Sequence, residues 1–266
     1  MGNSLRERHI ALRSSRNRFL LWATAVLLLA ALLRLVALRD VPPGLSQDEV
    51  LNADVVTFIR QVYHTLFFRE GYGHEPLYHY WAVPFQILFG DNVLSIPLPA
   101  VYLGLLLVAA AMRWSKREFG PLTAVLTGLG LAISWWPIIF SRVGLRPIME
   151  PLLLLIFAWF WPRRPWLAGL FLGLSVYTYT GARVVFLIPL LLFLYWLVAG
   201  RWIGGPRRRF LKWQVLQPLV AALIVLFASL LVVLPLALAL RADPTLQQRV
   251  QQLEGPLTAL QRGDLQ

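Results

Sequence analysis

The chain has 266 residues, of which 58% are hydrophobic and 14% are charged. Soluble domains carry charged side chains at about a quarter of their positions, so this composition indicates an integral membrane protein. A formal net charge of +12 would suggest a nucleic-acid ligand in a soluble protein, but Lys and Arg also accumulate on the cytoplasmic side of membrane proteins. The absence of cysteine excludes disulfides, thiolate metal sites and thiol nucleophiles.

Seven apolar segments are candidates for membrane spans, because about 20 apolar residues cross a hydrocarbon layer of roughly 30 Å. They are residues 19–38, 93–112, 121–140, 150–162, 166–180, 184–199 and 216–240. The first follows a basic N-terminus at 1–18 and is predicted to be an uncleaved signal anchor. Arg34 lies near the end of this span, so we expect its guanidinium to reach the interface. The apolar segment 76–89 is short and carries two prolines, and it is predicted to be interfacial or re-entrant.

The distribution of Lys and Arg predicts the orientation. If 76–89 does not span, the inner segments are 1–18, 113–120, 163–165 and 200–215. These segments hold 15 of the 25 Lys and Arg residues but only 2 of the 13 carboxylates. If 76–89 did span, three basic loops would move outside, against the positive-inside rule.

These observations predict an all-α membrane protein with about seven transmembrane helices in a bundle at 19–240. Interfacial helices are expected in the first extracytoplasmic loop, at 39–92. The N-terminus would be cytoplasmic and the tail at 241–266 extracytoplasmic, in a multi-pass protein of the cell membrane. Membrane lipids are then partners, and the positive charge needs no nucleic acid.

The loop at 39–92 carries seven of the 13 carboxylates. In this loop Ser46-Gln47-Asp48-Glu49 opens an amphipathic stretch that is predicted to lie along the membrane surface. Two interpretations of the acids remain open. Ser46 and Glu49 have the spacing of a capping box, and Asp48 in the first turn suits the helix dipole. Alternatively the acids are functional, because carboxylates beside a bilayer are costly to desolvate.

A second polar patch surrounds His74 and Glu75 at the start of the segment 76–89. Its aromatic residues, including Tyr78, fit a belt at the headgroup level, but that interpretation does not explain His74 or Glu75. A metal site is the weaker alternative, because His74 and His79 are five residues apart and would not share a helical face.

Two further patches carry arginines on the outer side, where topology least favours them. Arg142 and Arg146 are four residues apart and could clamp a phosphate, although an Arg146–Glu150 salt bridge is an equal alternative. Tyr179 and Arg183 end the fifth predicted span. Acids, arginines and aromatics on one face together suggest group transfer from a lipid phosphate. The phosphate-binding loop motif and the Asp-x-Asp pair of soluble nucleotide-sugar enzymes are both absent from the sequence, so a soluble nucleotide donor is not expected.

The sequence resembles the polytopic glycosyltransferases of the GT-C type, near the dolichyl-phosphate-mannose protein mannosyltransferase and aminoarabinose transferase branch. The similar segments are PPGLSQDE, GHEPLYHYW with FGDNVLSIPLPAVYLGLL behind it, REFGPLTAVL, SRVGLRP and GLSVYTYTGAR, in order from about residue 41 to 183. The resemblance implies a seven-span module, an active site that faces outside, and a polyprenyl-phosphate-linked sugar as donor.

The resemblance also implies roles for particular residues. Asp48 matches the acid of the family's first-loop motif and would be the catalytic base, with Glu49 as its catalytic neighbour. Donor or acceptor binding is implied for His74, Glu75, Tyr78, Arg142, Arg146, Tyr179 and Arg183. The second outer loop offers only Glu150 where the family has an acid. Family members generally continue with further spans, so we expect this chain to be a fragment.

The resulting hypothesis is an inverting-type transferase that moves a sugar from polyprenyl phosphate to a lipid, glycan or protein outside the membrane; the acceptor is unknown. The alternatives are a non-enzymatic lipid-binding or transport bundle and an inactive truncated transferase. Transporters usually place ionisable groups near the middle of the membrane, where these spans are almost free of charge. No cofactor is certain, no metal ligand is assigned, and a divalent cation stays open.

Overall fold

The structure is a computed structural model that describes residues 2–61, 63–161, 163–203 and 212–247. These residues form ten α-helices and several short 3₁₀ turns, with one isolated antiparallel bridge between Phe68 and His74. The all-α prediction is confirmed. The predicted tail is described only to residue 247, and part of the predicted inner segment 200–215 lies outside the described residues.

The helices alternate between long apolar segments and short connecting ones. They are α1 (Gly2–Leu35), α2 (Gln47–Arg60), α3 (Leu77–Phe89), α4 (Leu98–Phe119), α5 (Pro121–Ile133), α6 (Trp135–Arg142), α7 (Met149–Phe160), α8 (Pro165–Ser175), α9 (Leu187–Ile203) and α10 (Lys212–Ala242).

Three helical segments are long and apolar enough to cross a membrane, namely Asn17–Leu35, Val93–Phe119 and Pro218–Ala242. A fourth is present if α5 and α6, which meet at a 53° bend, together form one broken span. The predicted spans 150–162, 166–180 and 184–199 coincide with α7, α8 and α9, which have 12, 11 and 17 residues. At 1.5 Å per residue these three helices extend only about 17 to 26 Å. Helix length and composition therefore show three or four candidate spans, and they do not show seven.

The bend between α5 and α6 is stabilised by Arg34 from α1. Ser134 has an extended backbone at the break, so carbonyls at the end of α5 lose their helical partners. Arg34 donates to the carbonyls of Leu131 and Ala132, each at 3.2 Å, and its Nε lies 3.3 Å from the hydroxyl of Ser141. The expectation that Arg34 reaches the interface is wrong, because its side chain is fully buried.

Close helix packing in the second half of the chain depends on two glycines of α8. A Cβ at Gly169 would lie 2.5 Å from the carbonyl oxygen of Val225 on α10. A Cβ at Gly173 would lie 2.7 Å from the Cβ of Val232. Small residues of this kind let helix backbones approach closely in membranes. The adjoining core contains Leu172, Val225 and Leu236, all essentially inaccessible.

The two helices of the first loop pack on each other and on the segment between them. Val55 and Ile59 of α2 contact Phe68 and Val83, which anchors α2 against α3. Elsewhere on α2, Val50 and Phe58 are exposed. Exposed apolar side chains beside membrane helices suit the predicted position at the interface.

Contacts between loops bring the predicted outer segments together at one end of the helices. Arg142, at the end of α6, donates to carbonyls at the end of α1, and Tyr78 donates to Gly144. The amide of Leu77 donates to Tyr177, which follows α8. At the opposite end, Arg117 of α4 contacts Trp159 of α7.

Candidate functional site

The candidate site is centred on the fully buried carboxylate of Glu75. The guanidinium of Arg146 lies 3.6 Å from Oε2, and that of Arg183 lies 3.7 Å from Oε1. The hydroxyl of Thr180 donates to Oε1 at 2.8 Å. We call these four residues the Glu75 cluster. It unites three of the four patches predicted from the sequence.

Local backbone structure positions each member of the cluster. The Phe68–His74 bridge fixes the chain just before Glu75, with backbone hydrogen bonds of 2.8 and 2.9 Å. Arg146 begins the 3₁₀ turn Arg146–Ile148 before α7. The 3₁₀ helix Thr180–Phe186 between α8 and α9 carries both Thr180 and Arg183.

The cluster is electrostatically asymmetric. A buried carboxylate is tolerated when it is paired and hydrogen-bonded, and Glu75 has both kinds of partner. Two guanidiniums, those of Arg146 and Arg183, pair with this one carboxylate. The Arg146 side chain is 7% exposed, whereas that of Arg183 is 32% exposed. Arg183 can therefore reach a further anion, for which the guanidinium fork is suited.

Two buried histidines lie beside the cluster. The rings of His74 and His79 are parallel, with centroids 5.3 Å apart, and Phe68 meets His79 edge-on. Burial lowers the pKa of His79 well below its usual value, and the charges of Arg146 and His74 lower it further. His79 is thus neutral at physiological pH. The sequence argument against a shared helical face missed this stacking, because His74 lies before α3 rather than on it.

Tyr78 serves as a hydrogen-bond donor to the second outer loop. Its hydroxyl donates to the carbonyl of Gly144 at 3.0 Å, and Asn52 of α2 donates to the same oxygen at 3.1 Å. Burial raises the pKa of Tyr78, so the phenol stays protonated. Gly144 has φ +68° and would bring a Cβ to 3.1 Å from the carbonyl of Ile96. Tyr78 and Asn52 thereby fix the loop that carries Arg146.

The two candidate acids of α2 have different environments. Glu49 is buried, and it accepts a bond from the Ser46 amide at 2.8 Å while Ser46 Oγ accepts from the Glu49 amide at 3.3 Å. This capping box confirms the structural alternative for Glu49. Asp48 is exposed in the first turn of α2. The capping box does not involve the Asp48 carboxylate, which stays open to solvent.

Arg142 has a structural role that competes with its predicted phosphate contact. Its guanidinium donates to the carbonyls of Leu33, Val36, Ala37 and Val41 at distances from 2.6 to 3.2 Å. These groups lie in and after the last turn of α1, where carbonyls lack helical partners. Arg146 pairs with Glu75, although the sequence also allowed a pair with Glu150.

Tyr179 and Arg183 lie at the rim of the site. Tyr179 is half-buried, and its ring lies 3.1 Å from the position of a Cβ on Gly181. Within the part of the chain that the structure describes, no group of three or more His, Asp or Glu side chains is arranged to hold a metal. A divalent cation therefore stays a prediction.

Sequence reasoning did not select Asn52 or Thr180, and it predicted the wrong environment for Arg34. Asn52 is a buried amide on the apolar face of α2, and a lone polar residue on such a face is a usable signal. Thr180 lies between Tyr179 and Arg183 in the sequence, and its own signal is weak because a single threonine has no characteristic spacing. Arg34 carried the strongest signal, an arginine inside an apolar span, yet it was assigned to the interface.

Comparisons with models of protein families, with curated proteins and with solved structures gave no significant match to this chain. The resemblance to glycosyltransferases consequently rests on the quoted motifs.

Proposed function

We propose that this protein is a glycosyltransferase of the GT-C type that transfers a sugar from a polyprenyl-phosphate donor to an acceptor outside the cytoplasmic membrane. The observation that carries the proposal is the Glu75 cluster, in which a buried carboxylate lies between two guanidiniums. A donor of this class presents a phosphate and a sugar ring. Arginine suits the phosphate, and carboxylates accept hydrogen bonds from sugar hydroxyls.

The proposed reaction is a single displacement at the anomeric carbon. The acceptor oxygen forms a bond to that carbon, and the bond from the carbon to the phosphate oxygen breaks with its electron pair on the phosphate. Asp48 takes the proton of the acceptor hydroxyl. Arg146 and Arg183 offset the charge that develops on the leaving phosphate.

The proposed topology has seven crossings with the Glu75 cluster at the extracytoplasmic end. It is supported by the grouping of the loops after α1, α6 and α8 at one end of the helices. It is also supported by Arg117 at the opposite end, in a segment rich in Lys and Arg. The short helices α7, α8 and α9 would cross with help from local thinning of the bilayer.

The test uses membranes that contain the full chain and two labelled donors. We expect transfer of label from a polyprenyl-phosphate sugar to endogenous lipid or glycan, and none from a soluble nucleotide sugar. Glu75→Gln should abolish this transfer and leave membrane insertion intact. Equal transfer from both donors would contradict the proposed donor class.

A non-enzymatic lipid-phosphate binder is the second candidate. The capping box favours a binder over an enzyme, because the hydrogen bonds with Ser46 give Glu49 a structural role in place of a catalytic one. The two functions differ in turnover: a binder retains the labelled donor but releases no product.

A further inference from the structure

A small cavity lies between α2, α3 and the 3₁₀ turn Val93–Ser95 that precedes α4. Its volume is about 20 Å³, and about 10 to 15 Å³ is enough to hold one water molecule. The polar side chains that line it are Asn52, Gln86 and Ser95, with exposed fractions of 4%, 7% and 5%. Each of them therefore needs its hydrogen-bond partners inside the protein.

The amide group of Asn52 has a defined orientation. Its Nδ2 atom donates to the carbonyl of Gly144 at 3.1 Å, and a carbonyl oxygen can only accept. Turning the amide over would place two acceptor oxygens against each other. The other end of the group is therefore Oδ1, which is buried and has no hydrogen-bond partner among the described residues.

The amide group of Gln86 is oriented in the same way. Its Nε2 atom donates to the hydroxyl of Thr57 at 3.1 Å, and that hydroxyl donates to the carbonyl of Ala53 at 3.0 Å. A hydroxyl has one hydrogen, so Thr57 can only accept from Gln86. The Oε1 atom of Gln86 is also buried, and within the part of the chain that the structure describes it has no partner.

The polar lining of the cavity offers acceptors and no free hydrogens. The hydroxyl of Ser95 donates to the carbonyl of Asn92 at 2.7 Å, and that of Tyr78 donates to Gly144 at 3.0 Å. A ligand must therefore bring hydrogens or a positive charge. The lining residues are all uncharged, so a cation would lose its hydration without gaining a counter-charge. A neutral ligand with two hydrogens on one small atom fits best.

We propose that this cavity binds one ordered water molecule, which donates one hydrogen to Asn52 Oδ1 and the other to Gln86 Oε1. The water joins α2 to α3. Because Asn52 also holds the carbonyl of Gly144, the same contact extends to the loop that carries Arg146. The inference does not depend on the proposed transfer reaction.

The direct test is a crystal structure of the full chain at a resolution that shows ordered solvent. We expect one solvent peak within about 3.2 Å of both amide oxygens. A cavity without density would overturn the inference. A peak with six or more oxygen ligands at about 2.3 to 2.6 Å would also overturn it, because that coordination is typical of a metal ion.

A matched pair of substitutions at Ala82, on the cavity wall, tests the site in solution. Ala82→Val and Ala82→Thr add side chains of nearly the same shape, and either displaces the water. Ala82→Val should lower the melting temperature by about 4 °C or more, because two buried acceptors lose their donor. Ala82→Thr should lower it less, because its hydroxyl replaces one of the two hydrogens.

Ala25→Val and Ala25→Thr, at an exposed position of α1, measure the effect of the same side chains on a helix alone. After this correction, Ala82→Val should be the less stable of the Ala82 pair. If it were the more stable, or if it raised the melting temperature, the cavity would be dry and the inference wrong.

Melting temperatures in sodium, potassium and choline chloride at one concentration separate water from a cation. A water site predicts equal values in the three salts. Stabilisation by sodium or potassium that Ala82→Val abolishes would overturn the inference in favour of a cation. Sugar transfer enters none of these measurements, so their outcome is independent of the proposed function.

Discussion

At the scale of the residue, the molecule is defined by a buried carboxylate that pairs with two guanidiniums. Removing one partner of a buried pair costs more than an exposed pair is worth, because the remaining charge stays desolvated. Glu75, Arg146 and Arg183 therefore form one energetic unit. Two predictions belong to this scale.

Glu75→Gln should destabilise the protein by about 3 kcal/mol, because two guanidiniums lose their counter-charge. Unfolding in mild detergent measures this change. The control is Glu118→Gln, which removes an exposed pair with Arg117 and should cost less than about 1 kcal/mol. Adding Arg183→Gln to Glu75→Gln should recover part of the loss. If Glu75→Gln and Glu118→Gln lowered the free energy of unfolding equally, the Glu75 cluster would not stabilise the protein more than an exposed pair does.

His79 should make stability depend on pH. Its pKa in the folded protein lies well below its usual value, so the unfolded chain binds more protons below about pH 6.5. Stability is then fully present above that pH and is lost as the pH falls. His79→Phe should make the melting temperature depend less on pH between pH 7 and pH 5. His64→Phe, at an exposed position, should leave that dependence unchanged. An unchanged pH profile in His79→Phe would rule out this source of the effect.

At the scale of the element, buried polar contacts hold breaks and turns that apolar packing alone would not specify. Arg34 satisfies the end of α5, Arg142 satisfies the end of α1, and Gly169 lets α8 approach α10. Unsatisfied carbonyls are costly in a bilayer because no water replaces the lost bond.

Arg34→Met should destabilise the protein by about 2 to 3 kcal/mol, since it leaves the carbonyls of Leu131 and Ala132 without their donor. The comparison variant is Arg18→Met, at an exposed position of the same helix. Thermal unfolding of both variants in one detergent gives the difference. If Arg34→Met were as stable as Arg18→Met, the bend between α5 and α6 would need another explanation.

Two Gly→Ala substitutions in helices should have opposite effects on the stability of the protein. Gly169→Ala places a Cβ 2.5 Å from a backbone oxygen of α10 and should destabilise, whereas Gly130 of α5 has open space around it. Gly130→Ala should stabilise by about 0.5 to 1 kcal/mol, because alanine has the higher helix propensity. The same sign for both changes, measured by melting temperature, would contradict the close approach of α8 and α10.

Hydrophobic periodicity was sufficient to predict the helical class and the two short helices of the first loop, and the spacing of Ser46 and Glu49 was sufficient to predict the capping box. It could not give the partners of Arg34 or Arg142, because both depend on carbonyls that lie far away in the sequence. The distribution of Lys and Arg predicted that His74, Arg146 and Arg183 lie on one side of the membrane, but the choice of Glu75 as the common centre needed three-dimensional contacts.

At the scale of the whole molecule, topology decides whether the cluster faces outside. The chain lacks cysteine, so a maleimide will label only the single cysteine that is introduced into each variant. We expect an impermeant maleimide to label His64→Cys and Asp91→Cys on intact cells, because both flank a non-spanning 76–89. Arg163→Cys should react only after lysis. Labelling of only one of the first two would show that 76–89 crosses the membrane.

The most direct test of the proposed function is the initial rate of sugar transfer from a labelled polyprenyl-phosphate donor. Wild type is compared with Asp48→Asn and with Asp54→Asn, which changes another exposed carboxylate of α2. If Asp48 is the base, Asp48→Asn should reduce the rate by about 10² to 10⁴ and Asp54→Asn should leave it nearly unchanged. Full activity in Asp48→Asn would contradict the assigned base, and no transfer by wild type would contradict the enzyme itself.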